Sequence, residues 1–438
     1  MATEQDARPS ADEAAHRRTP GALLRRYWFG VVLWKRILIA LVLGTIVGLA
    51  LGEAAAQLKW MGDVFIRLIR MVVAPLVFFS IVSGIASMGD PKRLGAIGSK
   101  TLGLYLTLTV IAVSVGMIMG VIFQPGVGMD FAGAAPAQVA KAPPSLGEHL
   151  ISIIPTNPIA ALAEGAVQSV IFFGILVGLA ILTIAPRAEP VGRLFQMGAD
   201  IMLQIVRFVM EVAPFGVFAL VAWVMGTAGP SAFVHVLKLA AALVLGCAFQ
   251  TLIIHGGLVR LVARLPVLPF FRDITDVVAI AFSTSSSAAT LPVAMRVAEK
   301  NLGVSHAVTS TAMPLGVTLS MDGTALYVAL LAVLSAQAFG VDLHFSQYVM
   351  LALATTVVAL GTAPVPSASL FMLAAVLQVI GLGAEQTALV VGFILPFDRL
   401  LDMTRTITSA TSDLSTAVTV AKWEGELDRE LYLRKPTE

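Results

Sequence analysis

The segment Phe397-Asp398-Arg399-Leu400-Leu401-Asp402-Met403-Thr404-Arg405-Thr406, continuing to Ser409 and Asp413, decides how this chain is read. It lies in an apolar run at about 387–424, yet Asp398, Asp402, Arg405, Ser409 and Asp413 recur at spacings of four, three, four and four. At about 3.6 residues per turn these five share one helical stripe, about 100° wide. A single charge at the centre of a bilayer costs roughly 2.5–3.5 kcal/mol even on the lenient scale, so this stripe cannot face lipid. It must face protein or a water-filled cavity. Asp398, near the end of the run, is open to an internal ion pair or a ligand role. Asp402 and Arg405 read as a ligand site, because buried ion pairs are weak stabilisers.

The rest of the chain explains why that stripe stands out. Of 438 residues, 57% are hydrophobic and only 13% charged, and the mean hydropathy is +0.88. A soluble globule of this size needs far more polar surface, so the expected class is an all-α integral membrane protein. A net charge of +2 gives no argument for nucleic acid as a partner. The single cysteine, Cys247, excludes a disulfide scaffold and a cysteine metal cluster. No GxGxxG, Walker A or HExxH motif occurs, which disfavours an ATP-driven pump and offers no enzyme signature.

A hydrocarbon core of about 30 Å requires roughly 20 apolar residues per helix. Spans read at about 35–52, 60–87, 97–123, 150–186, 193–228, 232–264, 306–338 and 387–424. Residues 1–34 form a polar tail with no signal-peptide pattern, and Arg17, Arg18, Arg25, Arg26, Lys35 and Arg36 place the N-terminus in the cytoplasm. Lys92, Arg93 and Lys100, then Arg187 and Arg193, then Arg260, Arg264 and Arg272 fall on that same side. The C-terminal tail, 425–438, returns there with Arg429, Arg434 and Lys435. Residues 124–149 make a Gly/Ala/Pro-rich outer loop. Eight crossings with both termini in the cytoplasm of a bacterial inner membrane are therefore expected.

Two apolar stretches, about 266–300 and 345–383, do not read as plain crossings. The first is interrupted by Ser283-Thr284-Ser285-Ser286-Ser287, the second by Gly361-Thr362-Ala363-Pro364-Val365-Pro366-Ser367. Backbone freed in mid-membrane is tolerated only against protein or a polar cavity. Each stretch is therefore expected to be a re-entrant helical hairpin, followed by a span with polar interruptions. A hairpin plus a broken span, occurring twice in opposite orientation, points to a transporter site built from inverted repeats. In the seventh span, Ser320-Met321-Asp322-Gly323-Thr324 reads as an unwound turn whose carbonyls and carboxylate suit a hard cation such as sodium. The serine run offers hydroxyls and helix-start amides to an anion. His255 and His306 read as interfacial, and Glu211 as a structural polar contact.

Five motifs in this order resemble the dicarboxylate/amino acid:cation symporters, the family of glutamate and aspartate transporters. They are Arg70-Met71-Val72-Val73-Ala74-Pro75-Leu76-Val77-Phe78, Ser285-Ser286-Ser287-Ala288-Ala289-Thr290-Leu291-Pro292, Met321-Asp322-Gly323-Thr324, Gly361 to Pro366, and Asp398 to Asp413. The resemblance spans about 35–427. It implies a homotrimer with a static scaffold (35–96 and 150–228) and a mobile transport domain (97–123 and 232–424) that crosses lipid by an elevator motion, with the second hairpin as outer gate. It also implies that Arg405 holds the substrate side-chain carboxylate and Asp402 its amino group, with Ser286, Ser287, Thr324, Val365, Thr406 and Ser409 completing the pocket. Tyr105, Thr109, Gly316, Thr318, Ser320, Asp322, Ser409 and Asp413 are the implied cation positions, for sodium or protons as coupling ion. No other cofactor is implied.

Residue chemistry agrees with that assignment. Arg405 offers a planar fork matched to a carboxylate, and an acid without an amine leaves Asp402 unpaired. The expected function is therefore symport of aspartate or glutamate, with a C4-dicarboxylate or a neutral amino acid as the alternative cargo. This sequence departs from the family at Ser320 and Ser409, where asparagine is usual, and at Leu108, where a hydroxyl residue is usual. Pro364 stands where glycine is common, and Val328 where eukaryotic glutamate carriers have an acid linked to proton transport. An intramembrane hydrolase using Asp322 and Asp402, and a passive channel, are the competing classes.

Overall fold

The computed structural model describes residues 31, 33–86, 95–129, 151, 153–184, 187–227, 229, 231–360, 362 and 368–434, without some side chains inside these ranges, Arg70 and Thr318 among them. The N-terminal basic cluster up to Arg26, most of the outer loop, Lys92 and Arg93, and the second interruption from Ala363 to Ser367 lie outside the described residues. The described chain is helical, and the pairing of Val304 with Leu427 is an isolated bridge. Five stretches are long and apolar enough to cross a membrane: Lys35–Leu68, Ile97–Phe123, Glu189–Thr227, Val234–Val262 and His306–Ala338.

The first group of helices comprises α1 (Leu33–Leu51), α2 (Lys59–Ala86), α3 (Gly95–Phe123), α4 (Pro158–Glu164), α5 (Val167–Thr183) and α6 (Glu189–Thr227). α1, α2 and α5 pack chiefly with one another's neighbour α6 or with α2, whereas α3 packs on the later helices. Arg36 donates to both carboxylate oxygens of Glu211 at 2.7 and 3.2 Å, which ties α1 to α6 and gives Glu211 the structural role expected of it. The stretch expected as one span at 150–186 is two helices. Asn157 caps α4 by accepting from the amides of Ile159 and Ala160, Pro158 opens it, and left-handed Gly165 stops it.

The sixth span begins as α7 (Ser231–Phe249) and continues through π-helical turns at Gln250–His255 and Leu258–Val262. The first interrupted stretch is α8 (Val267–Asp273) and α9 (Thr275–Thr284), turned back through Ser285 and Ser286 into α10 (Ser287–Lys300). α9 and α10 pack together as a helical hairpin. The seventh span is broken into α11 (His306–Leu319) and α12 (Asp322–Ala338). α13 (Phe345–Leu360) and α14 (Ala368–Leu377) flank the second interruption and also pack together.

The last long helix, α15 (Ala384–Glu424), runs unbroken for 41 residues. The second broken span expected from the sequence is therefore not formed. Arg405 pairs with Asp402 and Asp398 on α15 itself, Ser409 and Ser412 bond to the break between α11 and α12, and the helix stays continuous through this polar stripe. α15 is central: α3, α7, α9, α10, α11 and α12 all pack on it. α12 is buried over nearly its whole length, between α3, α14 and α15. Beyond α15, the short α16 (Arg429–Leu433) is fastened to the base of the hairpin by Tyr432, whose hydroxyl donates to the Pro266 carbonyl at 2.8 Å. Burial pushes the Tyr432 phenol up from its ordinary pKa, so it remains a donor.

Candidate functional site

The stripe on α15 is buried along its length: Asp398, Asp402, Arg405, Ser409 and Asp413 are each at most 4% exposed. None faces lipid, as their cost in hydrocarbon requires. Arg405 organises the upper half. Its Nε donates to Asp402 Oδ1 at 2.7 Å and its terminal nitrogen to Asp398 Oδ1 at 3.2 Å. Its guanidinium carbon lies 4.5 Å from the centre of the Tyr327 ring, on α12. The planar, weakly hydrated guanidinium suits both contacts at once. Asp398 is thus an internal ion-pair partner. Thr406 donates to the Asp402 carbonyl at 2.8 Å, the bond by which a mid-helix threonine satisfies its hydroxyl.

The hairpin tip reaches the same half of the stripe. Arg399 donates to the Thr284 carbonyl at 3.3 Å. Ser285 adopts a left-handed conformation, φ 50°, uncommon for a residue with a Cβ. Ser286 caps α10 by accepting from the Ala289 amide at 3.3 Å, and its own amide donates to Thr284 Oγ1. Ser287, first residue of α10, is buried, as is Thr324 in the first turn of α12. The tip therefore joins α15 through backbone and capping groups. Val365 lies outside the described residues.

The lower half gathers around the break in the seventh span. Two residues, Ser320 and Met321, leave helical geometry between α11 and α12. Gly323 packs its backbone directly on the Arg405 carbonyl, where an added Cβ has no room. Here glycine serves close approach, in addition to loosening the turn. The Gly323 amide donates to Ser409 Oγ at 3.1 Å, and Ser320 and Ser412 share a hydrogen bond at 3.0 Å. On α3, Thr109 donates to Asp322 Oδ1 at 3.1 Å and Tyr105 donates to the Ala312 carbonyl at 3.1 Å. Gly316 leaves room for both Asp413 Oδ1 and the Tyr105 hydroxyl, which a Cβ there would displace.

The structure thus brings together Tyr105, Thr109, Gly316, Ser320, Asp322, Ser409 and Asp413. The Thr318 side chain is outside the described residues. Asp322 Oδ2 and Asp413 Oδ1 are buried without a hydrogen-bond partner among the described residues. A buried carboxylate oxygen in that state is offset either by a cation or by a proton on the acid. No cluster of three His, Cys, Asp or Glu side chains is present among the described residues, so a multi-carboxylate or histidine-rich metal centre is not formed there. Hydroxyls, backbone carbonyls and isolated carboxylates are instead the ligands a hard monovalent ion accepts.

Three participants escaped the sequence reading. Tyr327 is a platform for Arg405, but one tyrosine in an apolar run carries no signal of its own. His255 was expected at the interface. It is fully buried, with Nε2 3.6 Å from Asp322 Oδ2. Gln250 is also fully buried beside it. Two polar side chains five residues apart in an apolar span were the available signal, since such residues face the protein interior. The spacing is not α-helical, which concealed their common direction. His306, by contrast, is exposed and pairs with Glu299 at 2.8 Å.

Residues 33–423 match the family model described as the sodium:dicarboxylate symporter family. The chain is 34% identical over 408 residues to a proton/sodium-glutamate symport protein of Geobacillus stearothermophilus, covering 91% of this chain and 95% of that one. It is 34% identical over 421 residues to a proton/glutamate-aspartate symporter of Escherichia coli (91% and 94% covered). It is 31% identical over 431 residues to a C4-dicarboxylate transport protein of Rhodospirillum rubrum (95% and 92% covered).

Proposed function

Because the chain belongs to the sodium:dicarboxylate symporter family, we propose that it takes up an acidic amino acid, aspartate or glutamate, with sodium ions or protons moving alongside. It is a transporter and not an enzyme. The observation that carries the substrate class is the placement of Asp402 on Arg405. A substrate carboxylate takes the guanidinium from Asp402, and the substrate ammonium then takes the freed Asp402. Both buried charges stay paired throughout the exchange. A dicarboxylate without an amine displaces Asp402 from Arg405 and offers no ammonium in exchange, a penalty of about 1–3 kcal/mol or more for a charged group.

Charge balance supports coupling. Asp322 and Asp413 are acids in the interior, and the substrate adds a further negative charge. Ions held at Asp322 and Asp413, among Tyr105, Thr109, Gly316, Thr318, Ser320 and Ser409, offset that cost and travel with the cargo. Ser286, Ser287, Thr324, Val365, Thr406 and Ser409 line the substrate side in this reading. Eight crossings, cytoplasmic termini, two re-entrant hairpins with the second as outer gate, a trimeric scaffold and an elevator motion in the bacterial inner membrane belong to the same proposal. Exposed apolar side chains on α1 and α6, such as Ile46, Ile201 and Phe208, fit contact with lipid or with neighbouring copies.

One observation favours a C4-dicarboxylate as the second reading. Arg399 places another guanidinium on the stripe, and its Nε and one terminal nitrogen have no hydrogen-bond partner among the described residues. Uptake of labelled aspartate, glutamate and succinate by proteoliposomes distinguishes the two. The amino acid reading expects aspartate or glutamate to accumulate ahead of succinate, and Asp402→Asn to erase that preference. Succinate accumulating first, with Asp402→Asn indifferent, favours the dicarboxylate.

A further inference from the structure

A second guanidinium stands on α15 about one turn before Asp402. Arg399 lies in the apolar stretch of the helix, where ionisable side chains are expensive and mark functional groups. The acids nearest to it in sequence are engaged elsewhere: Asp398 and Asp402 each give an oxygen to Arg405. Arg399 instead donates from Nη2 to a neutral group on another element, the Thr284 carbonyl, at 3.3 Å. Its Nε and Nη1 have no hydrogen-bond partner among the described residues. An arginine placed here for stability alone would leave fewer donors unmade.

The contact falls on the turn of the first hairpin. Thr284 is the last residue of α9, and a helix end leaves its final carbonyls without intrahelical donors. The Ser285 amide takes the Ala281 carbonyl at 2.9 Å, and Arg399 takes that of Thr284. A cation also suits the negative end of the α9 dipole. Ser285 then turns the chain at φ 50°, a left-handed conformation that is strained for a residue with a Cβ and persists only where its surroundings hold it. Its own hydroxyl gives no help, because Ser285 Oγ is buried without a hydrogen-bond partner among the described residues. Thr284 Oγ1 braces the turn from within by accepting from the Ser286 amide at 3.3 Å, and Arg399 braces it from α15. Directly beyond the turn stand Ser286, which caps α10, and Ser287, its buried first residue. Arg399 and Asp402, three residues apart, share a face of α15. One helix thus sets both the brace on the turn and the acid that answers the substrate ammonium.

We propose that Arg399 is a positioning residue for substrate binding: from α15 it holds the Thr284 carbonyl, and so fixes the left-handed turn that presents Ser286 and Ser287 to the cargo. This rests on the reading of those serines as substrate contacts. The test is thermal unfolding of the purified, detergent-solubilised full chain in sodium chloride, titrated with whichever of aspartate, glutamate and succinate stabilises the wild-type protein most. A ligand that binds the folded state raises the melting temperature in a saturable way. Arg399→Met keeps the length of the side chain and removes its donors, and is expected to raise the half-saturating concentration about tenfold or more. Arg399→Lys keeps one charged donor and is expected to recover part of that loss. Ser287→Ala is expected to weaken binding in the wild-type background and to add little in Arg399→Met, because the turn that presents the serine is already released.

Arg399→Met titrating as the wild-type protein does overturns the proposal. So does a loss in Arg399→Met to which Ser287→Ala adds its full effect, since independent effects mean that Arg399 does not act through the turn. Either result leaves Ser287 as a substrate contact. If Arg399→Met does not fold, the same cycle run with Arg399→Lys decides. Ser287→Ala without effect in the wild-type background overturns the reading of the serine, and the proposal with it. A wild-type protein that responds to none of the three substrates overturns both.

Discussion

Arg405 and Asp402, the cation and anion expected to meet opposite ends of one substrate, meet each other: Nε donates to Oδ1 at 2.7 Å with both side chains almost wholly buried. The pair keeps two charges satisfied when no cargo is bound. Arg405→Ala should abolish uptake of acidic substrates. Truncating one partner of a buried pair costs about 2–5 kcal/mol, or roughly 30-fold to several thousand-fold in apparent affinity. It also strands Asp398 and Asp402. Adding Asp402→Asn to Arg405→Ala should therefore recover part of the lost melting temperature while uptake stays absent. Recovery of uptake in the double variant would contradict the assignment.

Asp322→Asn and Asp413→Asn each remove a charge from the lower half of the site, where one carboxylate oxygen of each has no partner. Both variants should need more coupling ion for half-maximal uptake, by about tenfold or more. Initial rates measured over a range of sodium concentrations, and over a range of pH at fixed sodium, check this. Unaltered ion dependence in both variants rules out their cation roles.

Tyr327 supports Arg405 through its ring, and its hydroxyl faces Asp398, the other partner of that guanidinium. Tyr327→Phe keeps the ring under Arg405 and should retain most of the transport. Tyr327→Leu should lose a cation–π contact worth about 0.5–2 kcal/mol, which appears as a rise of about 2- to 30-fold in the substrate concentration at half-maximal uptake. Equal effects of the two substitutions would transfer the role from the ring to the hydroxyl.

Gly323→Ala should fail at the joint between α12 and α15, because the new Cβ meets the Arg405 carbonyl. Overpacking of this kind costs about 1–3 kcal/mol, and here it also displaces the guanidinium's own backbone. Gly103, on α3, has open space at the corresponding position. Gly103→Ala should be neutral or gain up to about 1 kcal/mol in helix propensity. Melting temperatures of the two variants, compared with their uptake, test this contrast.

Much of this architecture was legible because lipid penalises polar groups so heavily. The spacing of Asp398, Asp402, Arg405, Ser409 and Asp413 required a buried stripe, and the structure buries all five. The interruption at Ser320-Met321 and the turn at Ser285-Ser286 were legible for the same reason. What stayed hidden depends on partners rather than on patterns. That Arg405 takes Asp402 and Asp398 at once, over Tyr327, is settled by how α12 crosses α15. His255 and Gln250 were obscured by a π-helical register that α-helical periodicity does not anticipate. The continuity of α15 is not legible because polar residues in a span read as breaks, whereas here their side chains pair along α15 or with the broken seventh span and leave the helix intact.

The central claim is coupled transport of an acidic amino acid through the site on α15. Its most direct test is uptake of labelled aspartate or glutamate into proteoliposomes holding the full chain, under an imposed sodium or proton gradient, with Arg405→Ala in parallel. The account predicts gradient-driven accumulation above the outside concentration, lost when the ion gradients are collapsed and absent in Arg405→Ala. Uptake that stops at equilibration regardless of the ion gradients, or that survives unchanged in Arg405→Ala, would contradict it.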